Sequence, residues 1–394
     1  MIQTNSIDAR SSEMNAARRG SLMAAAGLML LSLWGAQSAM AGQWHAATIG
    51  TQIPHRMYPV SAIPWASSFH VYSIAEAPLT LYQSEYSNGA WNYVPIYTDA
   101  FAGPVTASGI FYQTEQVFHI DSDLHLRLTY FNLLKGWKTI GVDGSGENTW
   151  NNFDAYISTV VFNNKLYIFY ADNMPSPAKN ALRYAVFDGT TFTYHVLDGN
   201  GGAGGRMNSS MAQPSAVVGP NGLRVYYRDQ DRRMLREAYS ADGSNWTSFA
   251  DLDGTAYYGG MVGDVGSHPA ATVVNGKVSV FYRDNTNGVL RLAQLNGNWH
   301  FGSIDPIDAG TAAAPIVHGG ALFGFYAQNG LLRATWGSGP GAMNTQTIDG
   351  AGGVANGSTS DYIFGPVVAL EYNSAPTVFY QDGTTGRMRN AYWQ

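Results

Sequence analysis

Short apolar runs recur along the chain, separated by clusters of Gly, Asn, Asp and Pro. Runs such as Phe69–Ile74, Leu79–Tyr82, Val117–Ile120, Leu124–Tyr130, Tyr156–Val161 and Lys165–Tyr170 predict β-strands. They are rich in Val, Ile, Phe and Tyr, and turn residues bound them on both sides. The breaks at Asn163-Asn164 and Asn275-Gly276 predict tight hairpins, because Asn and Gly accept the left-handed backbone of two-residue turns. Sustained helical periodicity occurs only near the N-terminus.

From about residue 160 the pattern repeats. Leu166–Asp172 (LYIFYAD), Leu223–Asp229 (LRVYYRD), Val278–Asp284 (VSVFYRD) and Pro376–Asp382 (PTVFYQD) are variants of one strand. Each is followed by Leu-Arg or Met-Arg, at Arg183, Arg236, Arg291 and Arg389. Aspartates at turns close most units: Asp143, Asp198, Asp253 and Asp308 lie 55 residues apart, and Asp349 follows after 41. A period near 50 residues built from short strands is the signature of a propeller. Each unit supplies a Pro/Ala-rich strand, a Phe/Tyr-rich strand, a Leu-Arg strand and a Trp-bearing outer strand, hence four strands per blade. The units run 51–98, 99–143, 144–198, 199–253, 254–308, 309–349 and 350–394, which predicts an all-β, seven-bladed propeller, with six or eight blades as alternatives. The last unit lacks its outer strand. Gln43-Trp44-His45 echoes Asn298-Trp299-His300, so residues 43–49 are expected to supply it and close the ring.

Residues 1–41 stand outside this pattern. Arg10, Arg18 and Arg19 precede an apolar stretch, Leu22 to Trp34, and Ala39-Met40-Ala41 has the small-residue form of a cleavage site. This is the plan of a secretory signal peptide, too short in its apolar part to anchor in a bilayer. Arg18-Arg19 also resembles a twin-arginine signal. Residues 42–394 are then a single exported domain, secreted or periplasmic, with no membrane span. With no cysteine, disulfides and thiolate chemistry are excluded, and stability is expected from one large core. Charged residues make up only 13%, against ~25% in an average domain. The net charge is −6, with no basic cluster beyond residue 41, which argues against nucleic acid as a partner. Abundant Tyr, Trp and Gly suit sugars, whose apolar faces stack on rings while their hydroxyls meet a few fixed polar groups.

One unit has a sharper pattern. Leu223-Arg224-Val225-Tyr226, then Leu235-Arg236-Glu237 and Asn245-Trp246, resembles the repeat of the fucose-binding propeller lectins. In that family a strand of the form I-R-V-Y, a later I-x-E and a nearby Trp build each sugar site. The resemblance implies that Arg224 and Glu237 hydrogen-bond sugar hydroxyls and that Trp246 or Trp299 stacks beneath the ring. The Arg position reads Tyr167, Ser279, Phe323 and Thr377 in other units, and the Glu position reads Tyr184, Leu292, Ala334 and Asn390. The pair can also be read as a cross-strand ion pair that stabilises a blade.

Other groups fit scaffold roles. Arg236, Arg291 and Arg389 each lie seven residues after Asp229, Asp284 and Asp382, which suits an Asp–Arg pair inside each blade. The alternative is that the repeated arginines line one face and grip ligands in several copies. Ser240–Trp246 resembles the structural Asp-box turn of sialidase propellers, and Gly144–Trp150 is a looser echo. His119–His125 contains two imidazoles and two carboxylates, but in neither a zinc nor an EF-hand spacing, and reads as a polar turn. The glycine-rich stretches 199–205 and 350–357 open no helix and read as loops, so no cofactor and no metal is expected. A glycosidase needs two flanking carboxylates or a supported Tyr nucleophile, and no cluster in the sequence breaks the repeat to provide one. The sequence therefore points to a carbohydrate-binding, lectin-like propeller with glycan partners and sites between blades. A propeller glycoside hydrolase of sialidase-like kind or a lyase, and a protein-interaction scaffold, are the alternatives.

Overall fold

The computed structural model describes residues 42–49, 56–65, 68–76, 78–87, 90–100, 107–144, 153–172, 180–207, 209–254, 263–305 and 312–394. The signal peptide expected over 1–41 and the looser turn echo at 145–150 lie outside them. The chain divides into Met1–Gln43 and Trp44–Gln394. In the second unit, the regular elements among the described residues form seven four-stranded antiparallel sheets, the blades of a propeller.

Blades 1 to 6 follow the chain at 57–98, 107–143, 153–198, 211–253, 265–305 and 314–349. Blade 7 takes three strands from 363–393 and its outer strand from Trp44–Thr48. That strand pairs antiparallel with Met388–Trp393, setting Trp44 opposite Trp393 and Thr48 opposite Arg389. The closure expected from the Trp-His echo is therefore present, and it covers an edge that would otherwise be open to pairing. The Asn163-Asn164 and Asn275-Gly276 hairpins are also as expected, with φ of 49° and 59°, and 50° and 72°.

Strand position within a blade explains the sequence pattern. The second strand is covered on both faces by neighbouring blades, so every residue of Lys165–Asp172 after the first is buried. Outer strands face solvent, and Asn298–Asp305 buries only its last residue. The apolar interior is consequently not the single core expected from chain length. It is divided into layers between blades, such as Phe169, Tyr184, Val225 and Tyr227 between blades 3 and 4, and Tyr226, Val280 and Tyr282 between blades 4 and 5. A sheet with two apolar faces must be sandwiched, and in a ring each blade is sandwiched by two others.

The repeated aspartates and arginines fasten these layers. The pair expected inside each blade is present in blade 2, Asp121–Arg127 at 2.6 Å, and in blade 3, Asp172–Arg183 at 3.7 Å, but blades 4 to 7 pair differently. Asp198 and Asp253 each turn one oxygen to their own loop, where Gly199 and Gly254 donate at 2.8 and 2.9 Å. The other oxygen meets the next blade. Asp198 takes the Tyr227 hydroxyl at 2.6 Å and the Arg236 guanidinium at 3.1 Å. Asp253 takes Tyr282 at 2.5 Å and Arg291 at 2.9 Å, and Asp349 takes Tyr380 and Arg389 likewise. The latch of blade 5 is Asp305, not Asp308: it accepts from Tyr326 at 2.6 Å and Arg333 at 2.7 Å, while Asp308 lies outside the described residues. The aspartates once matched to these arginines have a local task. Asp284 and Asp382 accept two backbone N–H groups each from their own turns, at 2.9–3.0 Å. The strand twist carries Arg236, Arg291, Arg333 and Arg389 toward the preceding blade, so hairpin spacing alone mispairs them. Arg236, Arg291 and Arg389 are buried, which removes the reading that they line a ligand-binding face.

Candidate functional site

Adjacent blades present equivalent positions to the cleft between them. Two lie on the second and third strands of one blade, and the third opens the outer strand of the next. Between blades 4 and 5 these positions hold Arg224, Glu237 and Trp299. Between blades 3 and 4 they hold Tyr167, Tyr184 and Trp246. The structure thus separates the two tryptophans that the sequence left as alternatives for one site.

In the 4/5 cleft, Arg224 Nη1 donates to Glu237 Oε1, and the Tyr226 hydroxyl donates to the same oxygen at 2.9 Å. The guanidinium also lies 4.5 Å above the Tyr239 ring. Burial works against the charge on Arg224, but the attraction of Glu237, with Tyr226 beside it, more than offsets this and raises its pKa. Arg224 and Trp299 line an open cavity of about 400 Å³ together with Pro220, Asn221 and Gly297. Glu237 is buried beneath them, only 5% exposed. It is absent from the cavity lining and joins it through Arg224, which it holds. Trp299 sits edge-on to Tyr226, with ring centres 5.8 Å apart, which fixes its plane at the cavity wall.

Trp246 belongs to a closed cleft. Its ring meets Phe169 and Tyr184 edge-on at 5.9 and 5.6 Å, and Tyr167 packs into the same layer. The turn before it is held by Asp242, which accepts from the backbone of Ser244 and Asn245 at 2.8 and 2.7 Å. Those N–H groups, Asn245 first, hold the Asp242 carboxyl well below the usual range. The Asp-box likeness is therefore a turn that positions Trp246.

Other clefts use the same positions differently. Between blades 7 and 1, Thr377, Asn390 and Trp91 line a larger cavity of about 750 Å³, walled by Tyr86, Tyr372 and Trp393. Between blades 1 and 2, His70 and Gln83 are joined by Glu115 from blade 2. His70 Nδ1 lies 2.5 Å from Glu115 Oε1, Gln83 donates to the carboxylate at 3.1 Å, and the Tyr72 hydroxyl donates to it as well. All but Gln83 are buried. No spacing in the sequence links Glu115 to His70, since the contact joins two blades.

The His119–His125 segment behaves as a turn. Asp121 accepts from the backbone of Asp123 and His125 at 3.1 and 2.8 Å and from Arg127 at 2.6 Å, while buried His119 meets Thr129 at 2.8 Å. Burial pushes the His119 pKa down to about 4.

No family model matches the sequence, and no curated protein matches it. Solved structures resemble it in fold. A polysaccharide lyase, Uly1, has a TM-score of 0.54 at 11% identity, with 89% of this chain and 91% of that chain covered. The Aleuria aurantia lectin, described as a six-bladed β-propeller with a fucose recognition mode, has a TM-score of 0.48 at 16% identity, with 78% and 97% covered. AofleA from Arthrobotrys oligospora has a TM-score of 0.49 at 13% identity, with 78% and 90% covered. At these identities the likeness is one of architecture, and this chain has one blade more than the Aleuria lectin.

Proposed function

We propose that this chain is an exported carbohydrate-binding propeller, secreted or periplasmic, that takes a fucose-type or related glycan in the cleft between blades 4 and 5. One observation carries the reading. A guanidinium locked by Glu237 and Tyr226 faces the same open cavity as the ring of Trp299. A fixed fork of N–H donors can grip a pair of vicinal sugar hydroxyls, and an indole beside it offers an apolar platform. Prepaying the order of the arginine limits the entropy lost on binding. Glu237 and Tyr226 orient the fork, and Trp246 stands outside this site as part of the scaffold.

A glycan array at high protein density tests the reading. Binding that free sugar inhibits, and that Arg224→Ala and Trp299→Ala abolish, is the expected result. Binding unchanged in both variants would refute the site. Turnover of fluorogenic glycosides without retention on the array would replace the lectin reading with the hydrolase one.

A further inference from the structure

The inner strands around the axis carry an asymmetry that the repeat hides. One inner-strand position lies two residues before the residue paired with Tyr72, Phe169, Tyr226, Phe281, Phe325 or Phe379 of the second strand, and in blades 1, 3, 4, 5 and 7 it sits at an irregularity in the pairing. Blades 1, 6 and 7 place Pro59, Ala312 and Pro366 there. Blades 3, 4 and 5 place Tyr156, Gln213 and His268. The blade 2 equivalent lies outside the described residues.

These three side chains meet across blades. His268 Nε2 lies 2.9 Å from the Tyr156 hydroxyl, with ring centres 5.5 Å apart, and the His268 backbone N–H donates to Gln213 Oε1 at 2.8 Å. Gln213 and His268 both hold a left-handed backbone, with φ of 56° and 53°. Such a conformation is costly for a non-glycine residue, and strain of this kind collects at functional sites. His268 Nδ1 is buried without a hydrogen-bond partner. All three side chains remain partly exposed.

Charge follows the same asymmetry. The second-strand position beside this layer holds Arg228 in blade 4 and Arg283 in blade 5, opposite Ala212 and Ser267. The corresponding residues are Ile74, Ile120, Ala171, Ala327 and Gln381 in the other blades. Arg228 is held by the Val265 carbonyl at 3.0 Å and by Asp264 at 2.6 Å, which offsets its charge. After burial, the groups that act on the imidazole are Arg283 and Arg228, both cationic, and together they hold its pKa at about 4. At neutral pH the imidazole is therefore uncharged, beside a phenol, an amide and two guanidinium groups.

We infer that the side of the axis formed by blades 3, 4 and 5 is a second binding site, separate from the 4/5 outer cleft, for the carboxylate-bearing unit of an acidic glycan. Arg283 faces the carboxylate, and Tyr156, Gln213 and His268 meet the sugar hydroxyls as neutral donors and acceptors. A ring of identical blades would place the same residue seven times, whereas here polar and cationic residues fall on three adjacent blades.

Calorimetry on the full chain tests this with tetragalacturonate and its fully methyl-esterified form, at low and at physiological salt. The acid should bind at least tenfold more tightly than the ester. Arg283→Gln should remove that preference, and His268→Asn should weaken binding of both, since Asn tolerates the left-handed backbone. Arg224→Ala should leave both affinities unchanged, which separates this inference from the proposed lectin site. Equal affinity for acid and ester, unchanged binding in Arg283→Gln and His268→Asn, or loss of binding in Arg224→Ala would each overturn it.

Discussion

The clefts between blades 3 and 4 and between blades 4 and 5 are built on one plan and end in opposite states. Both have a tryptophan at the start of the next outer strand, and both stand on the same Tyr–Asp–Arg latch. In the first cleft, Tyr167 and Tyr184 fill the space and Trp246 caps an aromatic stack. In the second, the same positions hold Arg224 and Glu237. A buried ion pair cannot pack as an aromatic layer does, so the space above it stays open and Trp299 borders a cavity. The difference between scaffold and site thus rests on two residues in a repeat of about 50.

The largest expected effect falls on what the clefts share. Asp253→Ala would leave Tyr282 and Arg291 buried without their acceptor and should cost about 3–5 kcal/mol, read as a shift of the denaturant midpoint at unchanged slope. A loss below 1 kcal/mol would show that the latch is incidental. Next, the two tryptophans should behave oppositely. Trp246→Ala should destabilise by about 3 kcal/mol and leave glycan binding intact, whereas Trp299→Ala should weaken binding at least tenfold with a smaller stability loss. Equal effects in both assays would remove the distinction between the clefts. A third experiment converts one into the other. Tyr167→Arg with Tyr184→Glu should raise the sugar stoichiometry by one, with Trp246 as the new platform, while stoichiometry unchanged in a folded variant would show that two residues do not make a site.

The smallest effect is a pH dependence that both clefts should ignore. His119 and His268 titrate near 4 in the native state, below the ordinary value of about 6.5. As pH falls from 6.5 to 4 the unfolded chain takes up these protons first, so their contribution is complete above 6.5 and lost toward 4. Asp229, raised to about 6 mainly by burial, acts in the opposite sense, binding its proton first in the native state. The net expectation is a loss on the order of 1–3 kcal/mol over that window, and Asp229→Asn should make it steeper. Stability flat between pH 4 and 6.5 in both proteins would contradict this.

Much of the fold was legible before any coordinates. Blade count, hairpin turns and closure by Trp44 follow from local signals: apolar runs, Asn-Gly turns and the 55-residue spacing are properties of neighbouring residues. The closing aspartate of blade 5 was misplaced by three residues because Asp305 and Asp308 both end a strand-like segment, and only the contact with Arg333 distinguishes them. The candidate site was half legible. Arg224 and Glu237 lie on paired strands of one blade, so their spacing gave them away, but the choice between Trp246 and Trp299 depends on which neighbour a blade face meets.

The sequence by itself determined the architecture, because secondary structure and repeat length are written in short stretches of chain. It also singled out the one blade whose second and third strands carry an Arg–Glu pair. The tertiary structure decided what joins the blades. The latches run from one blade to the next, His70 meets Glu115, and Tyr156 meets His268 two blades away. Such contacts unite residues far apart in the chain through the twist and curvature of the ring, and no local period encodes them.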